Sequence, residues 1–291
     1  MSGPPPPDWP FAGASRMVAS RPHRWHVQEI GDGPDVLLLH GAGGATHSWR
    51  GLAPLLAERY RVTMIDLPGH GFTRLGSSGR SGLDAMAEDV TTLCGALGLT
   101  PAAILGHSAG AAIALRLALA RPVPVVSING AFQMFDGLAG WLFPIMAKAL
   151  AVNPLTPFLF TAAGSPARTR RLIEGTGSRI DAAGLGQYHR LISDRGHVGG
   201  ALAMMAGWSL DRLVRDASGL EAPVLLLAGG RDRAVEPRVS REMAERLPRA
   251  ELRIFDDLGH LMHEEAPAEV AGAVMSFLDE AGVSSSPRPR R

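Results

Sequence analysis

The stretch Gly106-His107-Ser108-Ala109-Gly110 decides the fold because of what lies on either side of it. Ala102-Ala103-Ile104-Leu105, before it, has the apolar character of a short strand, and residues 109–120, after it, are rich in Ala and Leu and end just before Pro122. The order is therefore strand, Gly-x-Ser-x-Gly, helix, which is typical of a nucleophile elbow. Side chains at the two glycines would collide with the neighbouring strand and helix. We therefore expect a tight turn that raises Ser108 Oγ clear of the sheet.

Apolar runs and helical patterns alternate along the first 130 residues. The continuous run Val36-Leu37-Leu38-Leu39 predicts a strand buried on both faces, and residues 62–65 and 124–128 predict further strands. Between them, residues 83–97 predict a helix. Such alternation gives parallel strands with helices on both faces. The predicted fold class is therefore α/β, with a mostly parallel central sheet flanked by helices.

Two local patterns near the start of the chain add detail to this prediction. Residues 24–30 alternate in polarity and meet the turn residues 31–35, which predicts the first strand of a hairpin. Ser48 is expected to cap a helix. The apolar face of that helix would consist of Leu52, Leu55, Leu56 and Tyr60.

The alternation also predicts how the chain is divided into units. It stops over residues 131–215, which contain several aromatic and methionine side chains and no strand pattern, so this stretch is expected to form a helical cap. The core would comprise residues 24–130 and 216–282. Residues 1–23, with four consecutive prolines, predict an extended arm, and residues 283–291 a disordered basic tail.

Composition indicates which binding partners and which cellular compartment to expect. The 291 residues carry a net charge of +1, from 29 basic and 28 acidic side chains, which gives no global case for nucleic-acid binding. One cysteine and no secretory pattern at the start predict a cytoplasmic protein. The most apolar stretch, residues 141–160, is interrupted by Pro and Lys. It fits either a pair of cap helices or a surface that docks peripherally on membranes.

Two further residues complete a candidate catalytic set with Ser108. A serine is a poor nucleophile at neutral pH, so it needs a base, and the base needs an orienting acid. Asp232 follows a late predicted strand in a glycine turn, and His260 follows the next strand in a Gly-His turn. The order Ser108, Asp232, His260 is the order of one hydrolase architecture, and all three residues follow strand ends. We therefore predict these three as the catalytic residues.

Other residues compete for the same roles. His263 is the rival of His260, but it lies in the segment that enters the last helix. Asp256 and Asp257 are too close to His260 along the chain to orient it comfortably. Asn129 ends the strand after the elbow, where some related enzymes carry the acid, but it is not an acid.

An oxyanion needs two N–H groups aimed at one point. Ala109, at the start of a helix, is expected to supply one of them, and Ala42, in the loop after the first core strand, the other, with Gly43 as the second choice for that loop. The glycine-rich loop at 40–44 lacks the Lys-Ser/Thr of a phosphate loop. We see no metal-ligand spacing and no dinucleotide fingerprint, so we expect no metal and no cofactor.

The chain resembles the α/β-hydrolase superfamily over about residues 24–282. The resemblance rests on His40-Gly41, on the segment 66–71 (Asp-Leu-Pro-Gly-His-Gly), on the elbow, on Asp232 and on His260. Within that superfamily it is similar to the magnesium chelatase accessory proteins of bacteriochlorophyll biosynthesis. This narrower similarity rests on Asp8-Trp9-Pro10, Arg24 to Gln28, Ala45 to Arg50, Gly175 to Asp181, His197-Val198 and Met204-Met205.

The resemblance implies a link to pigment synthesis, near magnesium insertion into protoporphyrin. Two functions are compatible with it: a serine hydrolase acting on an ester or similar carbonyl, and a non-catalytic protein that binds or delivers a porphyrin to magnesium chelatase. The ligand would be a small apolar substrate or a tetrapyrrole. The resemblance is also compatible with a direct contact between this protein and magnesium chelatase. The residues expected to line the substrate site are Gly43, His107, Trp141 and Met205.

Overall fold

The computed structural model describes residues 1, 3–133, 161 and 165–283. The predictions made for Trp141, for the apolar stretch 141–160 and for the tail beyond residue 283 lie outside these residues. Within the described ranges, no helix is both long enough and apolar enough to cross a membrane.

One sheet of eight strands organises the described part of the chain. The strands are β1 (Ser15–Ser20), β2 (His23–Ile30), β3 (Asp35–Leu39), β4 (Arg61–Ile65), β5 (Ala103–His107), β6 (Val125–Ile128), β7 (Val224–Gly229) and β8 (Ala250–Phe255). Their order across the sheet is β1-β2-β4-β3-β5-β6-β7-β8. Strands β3 to β8 pair in parallel, whereas β1 and β2 pair antiparallel with their neighbours. The predicted fold class, a mostly parallel α/β sheet, is confirmed.

The strand register places the candidate residues at one edge. Leu39 at the end of β3 lies opposite Gly106, and Gly229 at the end of β7 lies opposite Phe255 at the end of β8. Because these strands are parallel, the loops that follow them leave the sheet on the same side. The loops that carry Ser108, Asp232 and His260 therefore meet at the carboxyl edge of the sheet.

Helices cover both faces of the sheet. In chain order the described helices are α1 (Leu52–Ala57), α2 (Leu83–Leu97), α3 (Ala109–Ala120), α4 (Pro166–Gly175), α5 (Ala182–Ile192), α6 (Arg195–Gly207), α7 (Asp211–Asp216), α8 (Pro237–Arg246), α9 (Met262–Glu265) and α10 (Pro267–Glu280). Helices α2, α3 and α8 pack on one face, and α1 and α10 on the other. Helices α4 to α7 follow β6 in the region predicted to be a helical cap.

Strand β3 shows why the core has two halves. Successive side chains of a strand point to opposite faces, so Leu37 and Leu39 join the cluster around α2 and α3, whereas Val36 and Leu38 join the cluster around α1 and α10. All four are essentially inaccessible to solvent. Each buried aliphatic side chain of this kind contributes about 1.5–3 kcal/mol, so the continuous apolar run stabilises both halves of the core at once.

Helix boundaries follow local signals where these are strong. Helix α2 ends at Leu97 because Gly98 adopts a left-handed conformation (φ 62°) and its N–H caps the carbonyls of Cys94 and Gly95. Helix α3 covers Ala109–Ala120, the stretch predicted from the elbow to Pro122.

Four local predictions need correction. Strand β2 forms no hairpin with the strand that follows it, but pairs with β1 and β4. The arm at 1–23 is not extended throughout, since it contains a 3-10 helix (Ala12–Ala14), and its strand β1 belongs to the sheet. Ser48 lies inside a short 3-10 helix (Thr46–Trp49), and the residue that precedes α1 is Gly51. Val283, assigned to the tail, is buried and donates its N–H to Leu278 O (2.9 Å).

Candidate active site

Ser108 lies at the junction of β5 and α3 in a backbone conformation that non-glycine residues rarely adopt (φ 52°, ψ −116°). Its N–H donates to Ile128 O at 2.9 Å. A Cβ atom on Gly106 would overlap the carbonyl oxygen of Gly110, and one on Gly110 would overlap that of Leu39. The close contacts explain why both flanking positions hold glycine. Strained backbone of this kind persists where the surrounding structure enforces it, and it is concentrated at functional sites.

Ala42 and Ala109, the predicted oxyanion donors, both line the cavity that contains Ser108. Ala109 is the first residue of α3, so its N–H belongs to the helix-start donors that have no partner within the helix. Gly43 is not on the wall of this cavity. It adopts a left-handed conformation (φ 74°), and its carbonyl oxygen accepts a hydrogen bond from His197 Nε2 (3.1 Å). The loop after β3 thus places Ala42 at the cavity and Gly43 against α6.

His40 anchors the beginning of the same loop. Its Nε2 accepts the N–H of Leu67 (2.9 Å), so Nδ1 carries the proton and donates to Gly41 O (2.8 Å). Gly41 O also accepts the N–H of Gly44 (3.0 Å), which closes the turn. Burial lowers the pKa of His40 and thereby favours the neutral imidazole that this pattern requires.

Asp232 and His260 form the most direct contact of the site. Asp232 Oδ2 lies 2.7 Å from His260 Nδ1, while Asp232 Oδ1 accepts the N–H groups of Ala234 and Val235, both at 2.8 Å. Because the carboxylate accepts the Nδ1 proton, Nε2 of His260 is left with a free lone pair. His260 and Ser108 line the same cavity. The arrangement can therefore hold a histidine in the tautomer that a general base needs.

The loop that carries His260 is fixed from the core by two side chains. Asn129 Nδ2 donates to the carbonyl oxygens of Gly259 (3.0 Å) and His260 (2.8 Å), and Asn129 Oδ1 accepts Gly229 N–H (2.7 Å). His107 Nε2 donates to the same His260 oxygen at 2.9 Å. Burial holds the pKa of His107 well below its ordinary value. His107, predicted to contact substrate, thus lies behind His260 and not on the cavity wall.

His263, the rival of His260, faces away from this cavity. It is fully buried in α9, where its Nε2 lies 2.8 Å from Ser48 Oγ. Burial, with a smaller effect of His260, lowers the pKa of His263 to about 3. His260 thus lies in the loop before α9, and His263 lies within α9.

The cavity at Ser108 has a volume of about 400 Å³. Met205, predicted to line the substrate site, is on its wall. Met204, also in α6, and Trp208, the residue that follows α6, line the same wall. Sequence reasoning did not assign Gln133, Arg233 or Arg238 to the site, although all three line the cavity. For Arg233 a signal existed, because it directly follows Asp232 along the chain.

The described ranges contain no cluster of three or more His, Cys, Asp or Glu side chains that could hold a metal ion.

Comparison with known proteins identifies relatives along most of the chain. Residues 34–267 match a family described as alpha/beta hydrolase fold. The magnesium-chelatase 30 kDa subunit of Rhodobacter capsulatus is 48% identical over 278 residues, which cover 94% of this chain and 98% of that protein. The pimeloyl-(acyl-carrier protein) methyl ester esterase of Nitrosomonas europaea is 28% identical and covers 81% of this chain and 92% of its own.

A solved structure shares the fold at lower sequence identity. The thermophilic esterase from Thermogutta terrifontis superposes with a TM-score of 0.72 at 22% identity, over 92% of this chain and 98% of the esterase. At this identity the likeness shows the fold alone.

Proposed function

The chain belongs to the α/β-hydrolase fold family and, within it, to the family of the magnesium-chelatase 30 kDa subunit, and from this premise we propose that it is a serine hydrolase of esters or similar carbonyl compounds. The observation that carries the proposal is the 2.7 Å contact between Asp232 and His260, with His260 and Ser108 on the wall of one cavity. A protein that only carries a ligand has no need of this combination, whereas a serine nucleophile requires it.

The proposed reaction has two halves. Ser108 Oγ attacks the carbonyl carbon, and its proton passes to His260 Nε2 while Asp232 holds the imidazolium. The N–H groups of Ala42 and Ala109 donate to the resulting oxyanion. The C–O bond to the leaving group then breaks, and His260 returns the proton to the departing alkoxide. Water repeats the sequence on the acyl-serine, which releases the acid and restores Ser108.

The composition of the cavity wall supports an apolar substrate that also carries acidic groups. Methionine and tryptophan side chains form its apolar part, and Arg233 adds positive charge. Arg238, also on the wall, is paired with Glu236 (3.1 Å) and Glu242 (3.2 Å). A tetrapyrrole combines a flat apolar ring with carboxylate side chains. The volume of about 400 Å³ suits a part of such a molecule, or a small acyl ester, since ligand sites typically have about 300–1,000 Å³.

The family membership supports a role in pigment synthesis. A relative that covers nearly the whole chain is named as a subunit of magnesium chelatase. We therefore assign the substrate to bacteriochlorophyll biosynthesis, near magnesium insertion into protoporphyrin. The same relationship supports a direct contact with the chelatase.

The name of that relative also favours a second candidate function, a non-catalytic protein that binds a porphyrin and delivers it to magnesium chelatase. Both functions use the same apolar cavity. They differ in one respect: only the hydrolase requires Ser108 to be activated by His260.

Labelling with a fluorophosphonate probe separates the two functions. We expect the wild-type protein to be labelled, and Ser108→Ala and His260→Ala to remain unlabelled while folded. His263→Gln serves as a matched control because His263 is a buried histidine three residues from His260 that does not line the cavity. Labelling of wild type alone would justify a substrate screen among porphyrin esters and simple acyl esters. If the folded wild-type protein is not labelled but binds protoporphyrin in a fluorescence titration, the carrier function replaces the hydrolase.

A further inference from the structure

The segment of residues 176–178, which follows α4 and begins the connection to α5, contacts both loops that carry the candidate acid and base. We call this segment the strap. Thr176 O accepts the N–H of Arg233 at 3.0 Å, next to Asp232. Ser178 Oγ accepts the N–H of Leu261 at 2.7 Å, next to His260. Ser178 is fully buried, so its hydroxyl is withdrawn from solvent and committed to this contact.

The strap lies against these loops with no space between the backbones. A Cβ atom on Gly177 would overlap Arg231 O, and one on Gly259 would overlap Gly177 O. Gly177 also has a positive φ of 87°, a conformation that favours glycine. Two independent reasons thus require glycine at position 177. A larger residue would push the strap away from the loop that carries Asp232.

Hydrogen bonds hold the strap at both of its ends. At its start, Thr176 Oγ1 donates to Ile173 O (2.6 Å) and Gly177 N–H donates to Glu174 O (3.0 Å), so the segment continues directly from the last turn of α4. Beyond its end, Arg179 N–H donates to Glu265 Oε2 (3.2 Å). The other oxygen of Glu265 accepts the N–H of Gly259 (3.0 Å).

His260 is therefore held from two sides. Asn129 and His107 bind its carbonyl oxygen from the core, while Ser178 binds the next N–H from the cap. The carbonyl of His260 and the N–H of Leu261 belong to one peptide group. Asn129 and His107 hold the oxygen of this group, and Ser178 Oγ holds its N–H, so both ends of the peptide group next to His260 are fixed.

From this geometry we propose that the strap is a positioning device for the acid–base pair, with Ser178 as a positioning residue for His260. The inference rests on the proposed hydrolase function and deepens it, because it makes the cap part of the catalytic machinery. Misplacement of a catalytic group by a fraction of an ångström slows a reaction strongly while leaving substrate binding little changed. The loss of the Ser178 hydroxyl should therefore reduce kcat and leave KM nearly unchanged.

The test compares Ser178→Ala with three companions. Ser178→Thr keeps the acceptor oxygen, and Ser178→Cys keeps the volume but weakens the acceptor. Ser193→Ala is the control, because the exposed Ser193 Oγ donates to His189 O (2.7 Å) away from the acid–base loops, so this variant removes a serine hydroxyl without touching them. Each protein is treated with the fluorophosphonate probe and assayed with p-nitrophenyl butyrate across pH. The downfield proton resonance of His260 Nδ1–H is recorded by NMR.

We expect Ser178→Ala to lower the labelling rate and kcat by about tenfold, to leave KM within about twofold, and to shift or broaden the His260 resonance. Ser178→Thr should recover most of the rate, and Ser193→Ala should match the wild type. An unchanged rate and resonance in Ser178→Ala overturns the strap. If Ser178→Ala does not fold, the same comparison is made with Ser178→Cys. If the wild type is not labelled at all, the hydrolase function fails, and the resonance still decides whether the strap positions His260.

Discussion

His197, in α6, donates its Nε2–H to the carbonyl oxygen of Gly43 at 3.1 Å and so connects this helix to the loop that carries Ala42. The opposite ring nitrogen, Nδ1, accepts the N–H of Gly71 at 3.0 Å. These two contacts allow only the neutral tautomer with the proton on Nε2, because a proton on Nδ1 would oppose the Gly71 donor. Burial accordingly holds the pKa of His197 well below its ordinary value.

We predict that the protein loses stability as the pH falls below about 6.5. Burial lowers the pKa of several histidines, to about 3 for His47, His70 and His263. Between the folded and unfolded pKa values the unfolded chain binds more protons, so protonation favours unfolding. Each such histidine adds a slope of up to about 1.4 kcal/mol per pH unit. Burial also raises the pKa of Glu264. This shift opposes the loss of stability at pH values near the pKa of a glutamate, because there the folded state binds more protons than the unfolded state.

Urea unfolding at pH 7.5, 6.0 and 5.0 measures this loss. The free energy of unfolding should decrease at each step, with the steeper decrease between pH 6.0 and 5.0. His263→Gln, which removes one buried histidine, should reduce the slope. A free energy of unfolding that stays constant or rises as the pH falls would mean that these histidines are protonated in the folded state.

Replacing Asp232 by Asn should abolish most activity while leaving the fold intact. An amide at this position no longer favours the Nδ1–H tautomer of His260, so the proton moves to Nε2 and the base is lost. In a serine protease with the same three residues, the Asp-to-Asn change lowers kcat by about 10⁴-fold. Fluorophosphonate labelling kinetics measure the effect, with the melting temperature as a check of folding.

The control for this substitution is Asp257→Asn. Asp257 lies in the same region but is exposed and paired with Arg231. Its replacement should leave the labelling rate within about twofold, because exposed ion pairs contribute little. Equal losses in the two variants would mean that the negative charge of the region, and not the contact with His260, supports the reaction.

A methyl group at the elbow should be far more damaging than one on an exposed helix. In Gly110→Ala the new Cβ would overlap the backbone carbonyls of Leu39 and His40, which cannot move without disturbing β3. We expect a loss of at least about 3 kcal/mol or failure to fold. In Gly95→Ala, within α2, the new Cβ meets no atom within 4 Å. That variant should gain about 0.5–1 kcal/mol, because alanine has the higher helix propensity. Chemical denaturation of both variants tests the difference.

The elbow and Ser48 show which features can be predicted from the sequence alone and which cannot. Residues 102–120 specify strand, turn and helix through signals contained within the segment, so their boundaries were predicted closely. Ser48 Oγ contacts Tyr188, 140 residues away along the chain, and His263 and Glu264, more than 200 residues away. No local pattern contains that contact, so Ser48 was assigned to a helix cap, which is the usual role of a serine before an apolar stripe.

The same distinction applies to the strand pairing and to the site. The alternation of residues 24–30 predicts a strand, but its neighbours in the sheet depend on contacts made by distant residues, and β2 pairs with β1 and β4. Ser108, Asp232 and His260 could be selected because each follows a strand in a parallel sheet. The position of His107 behind His260 could not, since it depends on the direction in which the elbow turns.

The contact of Arg50 with Glu264 connects the segment before α1 to α9, and its removal should destabilise the protein strongly. The Glu264 carboxylate is inaccessible to solvent and accepts hydrogen bonds from Arg50, Ser48 and Tyr188. Arg50 also pairs with Asp181, the residue that caps α5 (2.9 Å). Arg50→Ala would leave the buried carboxylate without its cation, which typically costs about 3–5 kcal/mol.

Arg59→Ala is the control for Arg50→Ala, because Arg59 pairs with the exposed Asp279 and should change the free energy of unfolding little. Glu264→Gln separates charge from hydrogen bonding. Combined with Arg50→Ala, it should recover part of the lost stability, since the neutral amide needs no counter-charge. Urea unfolding of the single and double variants forms a complete cycle. If the double variant is as unstable as the sum of the two single losses, the contact contributes through packing alone and the ion pair does not stabilise the fold.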